Sequence, residues 1–271
     1  MTANEIHEKK ERLLTILREY GSVAVAFSGG VDSTFLLKAA HDVLGEKAVA
    51  ITMRGAVFPE QESEDAVSFC EKNGIRLLTL DTDPLSVEGF AANPPDRCYI
   101  CKKALFSGIK ELAANRGLRF VAEGSNLDDE GDYRPGLAAV RELEIRSPLR
   151  EARLTKQEIR ILSREMDLPT WEKPSRACLA SRFVYGEMIS KELLRMVDLG
   201  EHFLLENGFR QVRVRIHGGT TARIEVEEAD LERLFAMRES VLSAFRKIGF
   251  LYVAADLCGF RSGNMNLAIQ K

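Results

Sequence analysis

Val23-Ala24-Val25-Ala26-Phe27 is an unbroken apolar run. Ser28-Gly29-Gly30-Val31-Asp32-Ser33 follows it, and Thr34-Phe35-Leu36-Leu37-Lys38-Ala39-Ala40 has the composition of a helix. A short apolar run bounded by glycine reads as a buried strand, so the order is strand, tight turn, helix N-terminus. A buried strand feeding directly into a helix commits the chain to a layered α/β architecture. Two adjacent glycines let the backbone turn sharply and approach an anion closely. The first N–H groups of the helix have no internal partner, and the helix dipole adds positive potential, so such a turn binds phosphate. Ser28 and Ser33 add hydroxyls, and Asp32 can hold a magnesium ion that bridges phosphates. No Gly-Lys dipeptide occurs anywhere in the chain, which excludes the lysine-containing phosphate loop. A turn that merely caps a helix is the plainer alternative, and the strand and helix on either side argue against it.

The rest of the chain keeps the same rhythm. Helical spacing over residues 4–20 precedes the loop. Strands are predicted at 47–53, 76–81 and 118–123, with helices at 60–73 and 101–116 between them. This alternation predicts an α/β fold with a doubly wound parallel sheet, whose ligands sit beyond the C-terminal ends of the strands. Thr155 with Glu158 three residues on makes a capping box for a helix over 155–166. After residue 185 the pattern changes to helix (190–207), strand (210–216), strand (222–226), helix (229–247), strand (250–256). Two domains are expected, 1–185 and a smaller C-terminal α+β unit over 186–271.

Composition narrows the function classes. Of 271 residues 45% are hydrophobic, enough for a real core, and 38 Lys and Arg against 41 Asp and Glu give a net charge of −3. There is no global basic field to attract nucleic acid. No apolar run reaches membrane-spanning length, and Met1-Thr2-Ala3-Asn4-Glu5 has no signal-peptide character, so a soluble, cytoplasmic protein is expected. The four histidines (His7, His41, His202 and His217) have no metal-motif spacing, which disfavours a histidine metal site or a serine–histidine triad.

The five cysteines carry more information. Cys98-Tyr99-Ile100-Cys101 stands at a predicted helix start, where thiolates are favoured, and Cys178 lies in a loop of Pro174 to Arg182. Three thiols suit a 4Fe–4S cluster with one open iron, whereas structural zinc takes a fourth protein ligand. Thiols that bind no metal are the third possibility. Cys70, mid-helix, and Cys258, late in the second domain, read as buried apolar residues.

Ser28–Ser33 resembles the PP-loop of ATP pyrophosphatases (the adenine nucleotide alpha hydrolase-like fold), which cut ATP between the α and β phosphates and leave AMP on a substrate oxygen. The whole chain resembles the LarE family of ATP-dependent sulfur transferases. The likeness rests on that loop, on Asp128-Asp129-Glu130-Gly131-Asp132-Tyr133-Arg134-Pro135-Gly136, on Cys178-Leu179-Ala180-Ser181-Arg182-Phe183, on Val212-Arg213-Val214-Arg215 and on Gly259-Phe260-Arg261-Ser262-Gly263. It implies adenylation of a carboxylate on a pyridinium-3,5-biscarboxylate mononucleotide, then sulfur transfer to a thiocarboxylate for a nickel-pincer cofactor. In one branch of the family the cysteine matching Cys178 gives up its own sulfur and becomes dehydroalanine. In another, cysteines matching Cys98, Cys101 and Cys178 hold a 4Fe–4S cluster, and this chain has all three. The resemblance also implies a homo-oligomer, a hexamer built from trimers, and it alone carries Glu201 as a metal-site candidate.

The residues support part of this independently. A carboxylate resists attack until its oxygen becomes a good leaving group such as AMP, after which sulfide or thiolate is a natural nucleophile. Arg213 and Arg215 alternate along a strand and share a face, a pair suited to bidentate phosphate or carboxylate contact; a solvated strand face is the bland reading. Arg182, Ser181 and Arg261 are further anion candidates, and Asp128, Asp129 and Asp132 form an acidic loop able to order magnesium or substrate. Two rivals stand beside this reading. A PP-loop tRNA thiolase would bind bulk tRNA in a salt-dependent way, and a non-catalytic adenine-nucleotide sensor would release no pyrophosphate.

Overall fold

The computed structural model describes residues 3–131, 135–261 and 263–264; the expected Asp132, and Tyr133, Arg134 and Ser262 of the family-like segments, lie outside them. Residues divide into two compact units, 1–82 with 98–176, and 83–97 with 177–271. In chain order the first unit contains α1 (Ala3–Tyr20), β1 (Val23–Ala26), α2 (Val31–Leu44), β2 (Ala48–Arg54), α3 (Glu60–Lys72), β3 (Leu77–Asp81), α4 (Arg97–Ala114, beginning at the junction), β4 (Phe120–Ala122), α5 (Gly136–Glu142), α6 (Pro148–Glu151) and α7 (Lys156–Glu165).

The four strands are all parallel, in the order β3-β2-β1-β4. The chain winds outward from β1 through β2 to β3, then returns to lay β4 on the other side of β1, so helices cover both faces. Side chains on a strand alternate faces. Val23 and Val25 accordingly join Leu13, Leu17, Phe35, Leu36, Ile159 and Leu162, while Ala24 and Ala26 join Phe106, Ile109, Val121 and Val140. The winding direction reverses between β1 and β4, which is where such sheets hold ligands. The loop of Ser28–Ser33 leaves β1 at that point.

The second unit carries α8 (Lys191–Glu206), β5 (Val212–His217), β6 (Thr221–Val226), α9 (Leu231–Ala236), α10 (Arg238–Ile248) and β7 (Tyr252–Ala255). β5 and β6 are antiparallel, and β7 adds parallel to β6. Gly200 of α8 allows close packing, since a Cβ there would stand 3.3 Å from the Phe245 ring.

The doubly wound sheet and the small α+β unit match expectation, and three details differ. The units part after Arg176 rather than at 185, and residues 83–97 go with the second. The reason is a set of bonds between distant segments: Asn93 Nδ2 donates to the Val184 carbonyl at 2.6 Å, Gly186 N to Asn93 O at 2.9 Å, and Ile189 N to Ala91 O at 2.8 Å. Helix α4 begins at Arg97, not 101, because Arg97 N bonds to Pro94 O and turns the chain into the helix, so Cys98 and Cys101 share its first turn. The helix expected over 229–247 is two helices divided at Met237, with no Gly or Pro to mark the break.

Candidate active site

The Ser28–Ser33 loop opens on a cavity of about 490 Å³ bounded by the exits of β1, β2 and β4 and by the start of α7. Gly29 has φ +69°, a conformation that favours glycine, and a Cβ there would meet the Glu62 carbonyl at 3.3 Å. Gly124, after β4, lies so close to the loop that a Cβ would stand 3.1 Å from Ser33 N. Ser28 Oγ and Ser33 Oγ are 3.1 Å apart, Ser33 Oγ donates to Gly30 O at 3.2 Å, and Gly30 caps α2. The expected phosphate-binding residues Ser28, Gly30, Asp32 and Ser33 therefore share one cavity wall, with Gly29 shaping the turn behind it.

Two features of this cavity went unread in the sequence. Lys156 Nζ lies 2.5 Å from Asp32 Oδ2, and Asn126 Nδ2 donates to Asp32 Oδ1 at 3.3 Å. Lys156 is the first residue of α7, behind the Thr155–Glu158 capping box that the sequence foretold. Its own N–H donates to Asp128 Oδ2 at 2.9 Å. The chain that lacks a lysine in its phosphate loop thus brings one in from 124 residues away. Its signal was the capped helix start itself, since a helix N-terminus and a cation both favour phosphate. Lys102 also lines the cavity. Asp128 and Asp129 order the loop: Asp129 Oδ2 accepts from Asn126 N, and Asn126 Oδ1 from Asp128 N.

In the second unit the cysteine loop is held by a buried guanidinium. Arg182 is fully buried and donates from Nη1 to the carbonyls of Ala177 (2.6 Å) and Cys178 (3.2 Å). Its Nε and Nη2 form a two-pronged bond to Glu201, 2.7 Å each. Burial pushes the Glu201 carboxyl up, and the Arg182 charge outweighs that and holds it below the usual carboxylate range, so the pair stays ionised. Glu201 also accepts from Val214 N at 2.9 Å; its oxygens are committed to Arg182 and the strand rather than offered to a metal.

Arg213 and Arg215 do share a face of β5, but it is buried and not a solvated one. Arg215 donates to Glu225 at 2.8 Å and to Ser181 O at 2.9 Å. Arg213 donates to Val212 O at 2.7 Å, and its guanidinium lies over the Phe260 ring at 5.1 Å. Burial, then repulsion from Arg182, pulls the Arg213 guanidinium down to about 9 against Glu201's attraction. Three buried guanidiniums (Arg182, Arg213 and Arg215) thus stand among two buried carboxylates, Glu201 and Glu225, an arrangement that favours an added anion. Arg261 is exposed.

The thiols are differently placed. Cys98 is exposed and Cys101 buried, Cys178 is partly buried, and Cys258, expected to be buried, is exposed in the turn after β7. Cys70 is buried in α3, which pushes its thiol up to about 12. Among the described residues no three His, Cys, Asp or Glu side chains are grouped as a metal site requires. Cys98 and Cys101 fall in the first unit and Cys178 in the second. Magnesium asks less of the protein, since it binds through one or two carboxylates plus substrate phosphates, and Asp32 on the cavity wall meets that need. Among the described residues no helix is long and apolar enough to cross a membrane.

Sheet order, loop and cavity together define the PP-loop class of ATP-utilising proteins, and the family model for NAD synthase matches residues 6–94. Along its whole length the chain is similar to two bacterial proteins. It is 39% identical over 264 residues, 97% of this chain and 95% of the relative, to the pyridinium-3,5-bisthiocarboxylic acid mononucleotide synthase of Lactiplantibacillus plantarum. It is also 39% identical over 268 residues, 98% of this chain and all of the relative, to an uncharacterized protein of Synechocystis sp.. More distantly, it is 25% identical over 221 residues to the glutamine-hydrolyzing GMP synthase of Hydrogenovibrio crunogenus, covering 72% of this chain and 41% of that one. The chain belongs to the LarE family.

Proposed function

We propose that this protein adenylates a carboxylate of a pyridinium-3,5-biscarboxylate mononucleotide with ATP and converts it to a thiocarboxylate, a step toward a nickel-pincer nucleotide cofactor. The observation that carries this reading is the end-to-end match to a synthase named for the bisthiocarboxylate product. The chemistry follows from the residues. A carboxylate oxygen attacks the α-phosphorus of ATP and pyrophosphate leaves. The α2 N-terminus and Lys156 stabilise the phosphates; magnesium, which Asp32 would hold, would supply further charge neutralisation. The Cys178 thiolate then attacks the activated carbonyl carbon and AMP leaves, giving a thioester. Removal of the Cys178 Cα proton with cleavage of its Cβ–S bond releases the thiocarboxylate and leaves dehydroalanine. Arg213 and Arg215 are assigned to the substrate's phosphate, and Arg182 holds the cysteine loop.

Incubation with MgATP and substrate should yield AMP, pyrophosphate and the thiocarboxylate, and intact mass should show loss of H₂S at Cys178. ADP as the main nucleotide product overturns the assignment. Cys98 and Cys101 on one helical turn favour a second reading for the sulfur source, the 4Fe–4S cluster with Cys178. Iron and sulfide analysis of anaerobically purified protein decides it: stoichiometric cluster lost on Cys98→Ala supports that branch, and iron-free active protein excludes it. The reading also makes the protein a cytoplasmic homo-oligomer, and light scattering tests the assembly.

A further inference from the structure

The residues that lead to Cys178 are fastened to the nucleotide loop. Arg160 of α7 donates from Nη1 to Trp171 O at 2.6 Å and from Nη2 to Lys173 O at 3.0 Å, and Arg164 stacks on the Trp171 ring at 4.9 Å. These contacts make residues 168–176 a defined strap, not a loose connection. Lys173 then reaches across to three oxygens: Gly29 O at 3.1 Å, Asp65 Oδ2 at 3.0 Å and Glu62 Oε1 at 3.3 Å. Its side chain is 14% exposed. An ammonium has three donors; here two are hydrogen-bonded, to Asp65 Oδ2 and to the carbonyl of the loop glycine with φ +69°, while Glu62 is paired by charge alone. Two carboxylates of α3 would have been enough to anchor a strap. The bond to Gly29 O reaches beyond α3 to the loop that must receive a triphosphate.

We propose that Lys173 is a positioning residue that couples nucleotide occupancy of the PP-loop to the placement of Cys178, five residues further along the chain. The proposal rests on the reading above only in giving Cys178 the sulfur-transfer role. Several negative charges arriving in the cavity in front of the Gly29 turn draw the Lys173 ammonium toward the loop and weaken its share in Glu62 and Asp65. The strap follows, because its backbone moves with the Lys173 side chain, and Arg160 links that backbone to α7, whose first residue, Lys156, lines the phosphate cavity. Nucleotide binding thereby sets where the cysteine-bearing segment begins.

The test is the alkylation rate of Cys178 in the full-length protein, measured by peptide mass spectrometry with and without magnesium and α,β-methylene ATP. In the wild type the nucleotide should change that rate by about fivefold or more, the usual lower range of coupling between sites. Lys173→Met should still bind the analogue in titration calorimetry yet label at one rate in both states. Lys173→Arg keeps the charge and both carboxylate pairs, so it should fold even if the Met variant does not, and it should reduce the nucleotide effect without abolishing it. A wild-type rate indifferent to nucleotide, or a nucleotide effect of full size in Lys173→Arg and Lys173→Met, overturns the proposal. Coupled labelling in a protein that releases no pyrophosphate with substrate would leave the coupling standing and sink the proposed function instead.

Discussion

Replacing Arg213 by Met should make the protein more stable while impairing its anion site. Burial, then repulsion from Arg182, pulls this guanidinium down to about 9, so its charge weighs against the folded state. The substitution forfeits the bond to Val212 O, roughly 1.5–3 kcal/mol, and the contact with the Phe260 face, about 0.5–1 kcal/mol. Met is unbranched and fills much of the same space. Relief of the buried charge and of its repulsion by Arg182 outweighs these losses, and Tm should rise. Arg215→Met is the matched control, because it removes the same charge but breaks a buried pair with Glu225 and should destabilise the protein. Thermal melts of the three proteins with and without inorganic phosphate give the comparison. Phosphate should raise the wild-type Tm and do little for Arg213→Met. Equal destabilisation by both substitutions, or equal protection by phosphate, would refute the view that this cluster is short of negative charge.

Three further outcomes can be checked directly. Lys156→Met should weaken binding of a magnesium–ATP analogue by about tenfold or more, since a charge-assisted contact contributes roughly 1.5–3 kcal/mol; unchanged affinity in calorimetry removes Lys156 from the site. Iodoacetamide at neutral pH should modify Cys98 and Cys258 but spare Cys70, whose thiol is pushed up to about 12 by burial, and early labelling of Cys70 would contradict its packing in α3. Burial raises the Glu158 carboxyl, and Lys9 with the Thr155 N–H more than offsets this and holds it below 4.5. A depressed carboxyl stabilises above its unfolded value and loses that as pH falls through its folded one. Glu158→Gln should therefore lower stability by about 1–2 kcal/mol at pH 7, with the difference in urea melts shrinking as pH falls below the usual carboxylate range; a gap that does not shrink in acid is inconsistent with this ion pair.

The parts of this protein that were legible in its sequence are those fixed by local physics. The β1 run, the Gly29–Gly30 turn and the Thr155–Glu158 box each specify their own geometry within a few residues, and the alternation of strands and helices is enough for a parallel sheet. Lys156 was not legible as a partner of Asp32, because nothing local announces a contact across 124 residues. Arg213 and Arg215 were found by period, but burial on β5 depends on α8 covering the strand, and strand alternation alone is silent on which face is covered. Cys258 was misplaced for the converse reason: an apolar-looking residue in a turn has no partner element to bury it.

Residues 83–97 are made before most of the segments they bond to. In synthesis they emerge between β3 and α4, while the carbonyl that Asn93 requires, on Val184, and the N–H groups of Gly186 and Ile189 appear some ninety residues later. Domains tend to fold in the order of their emergence, and here the first unit must close around an unfinished excursion. Helix α4 is anchored at its start by residues still waiting for that partner. A chain truncated after Arg176 would hold every strand of the first sheet and still lack the bonds that secure this excursion, so the two units are distinct as compact bodies yet cannot be parted by any single cut in the gene.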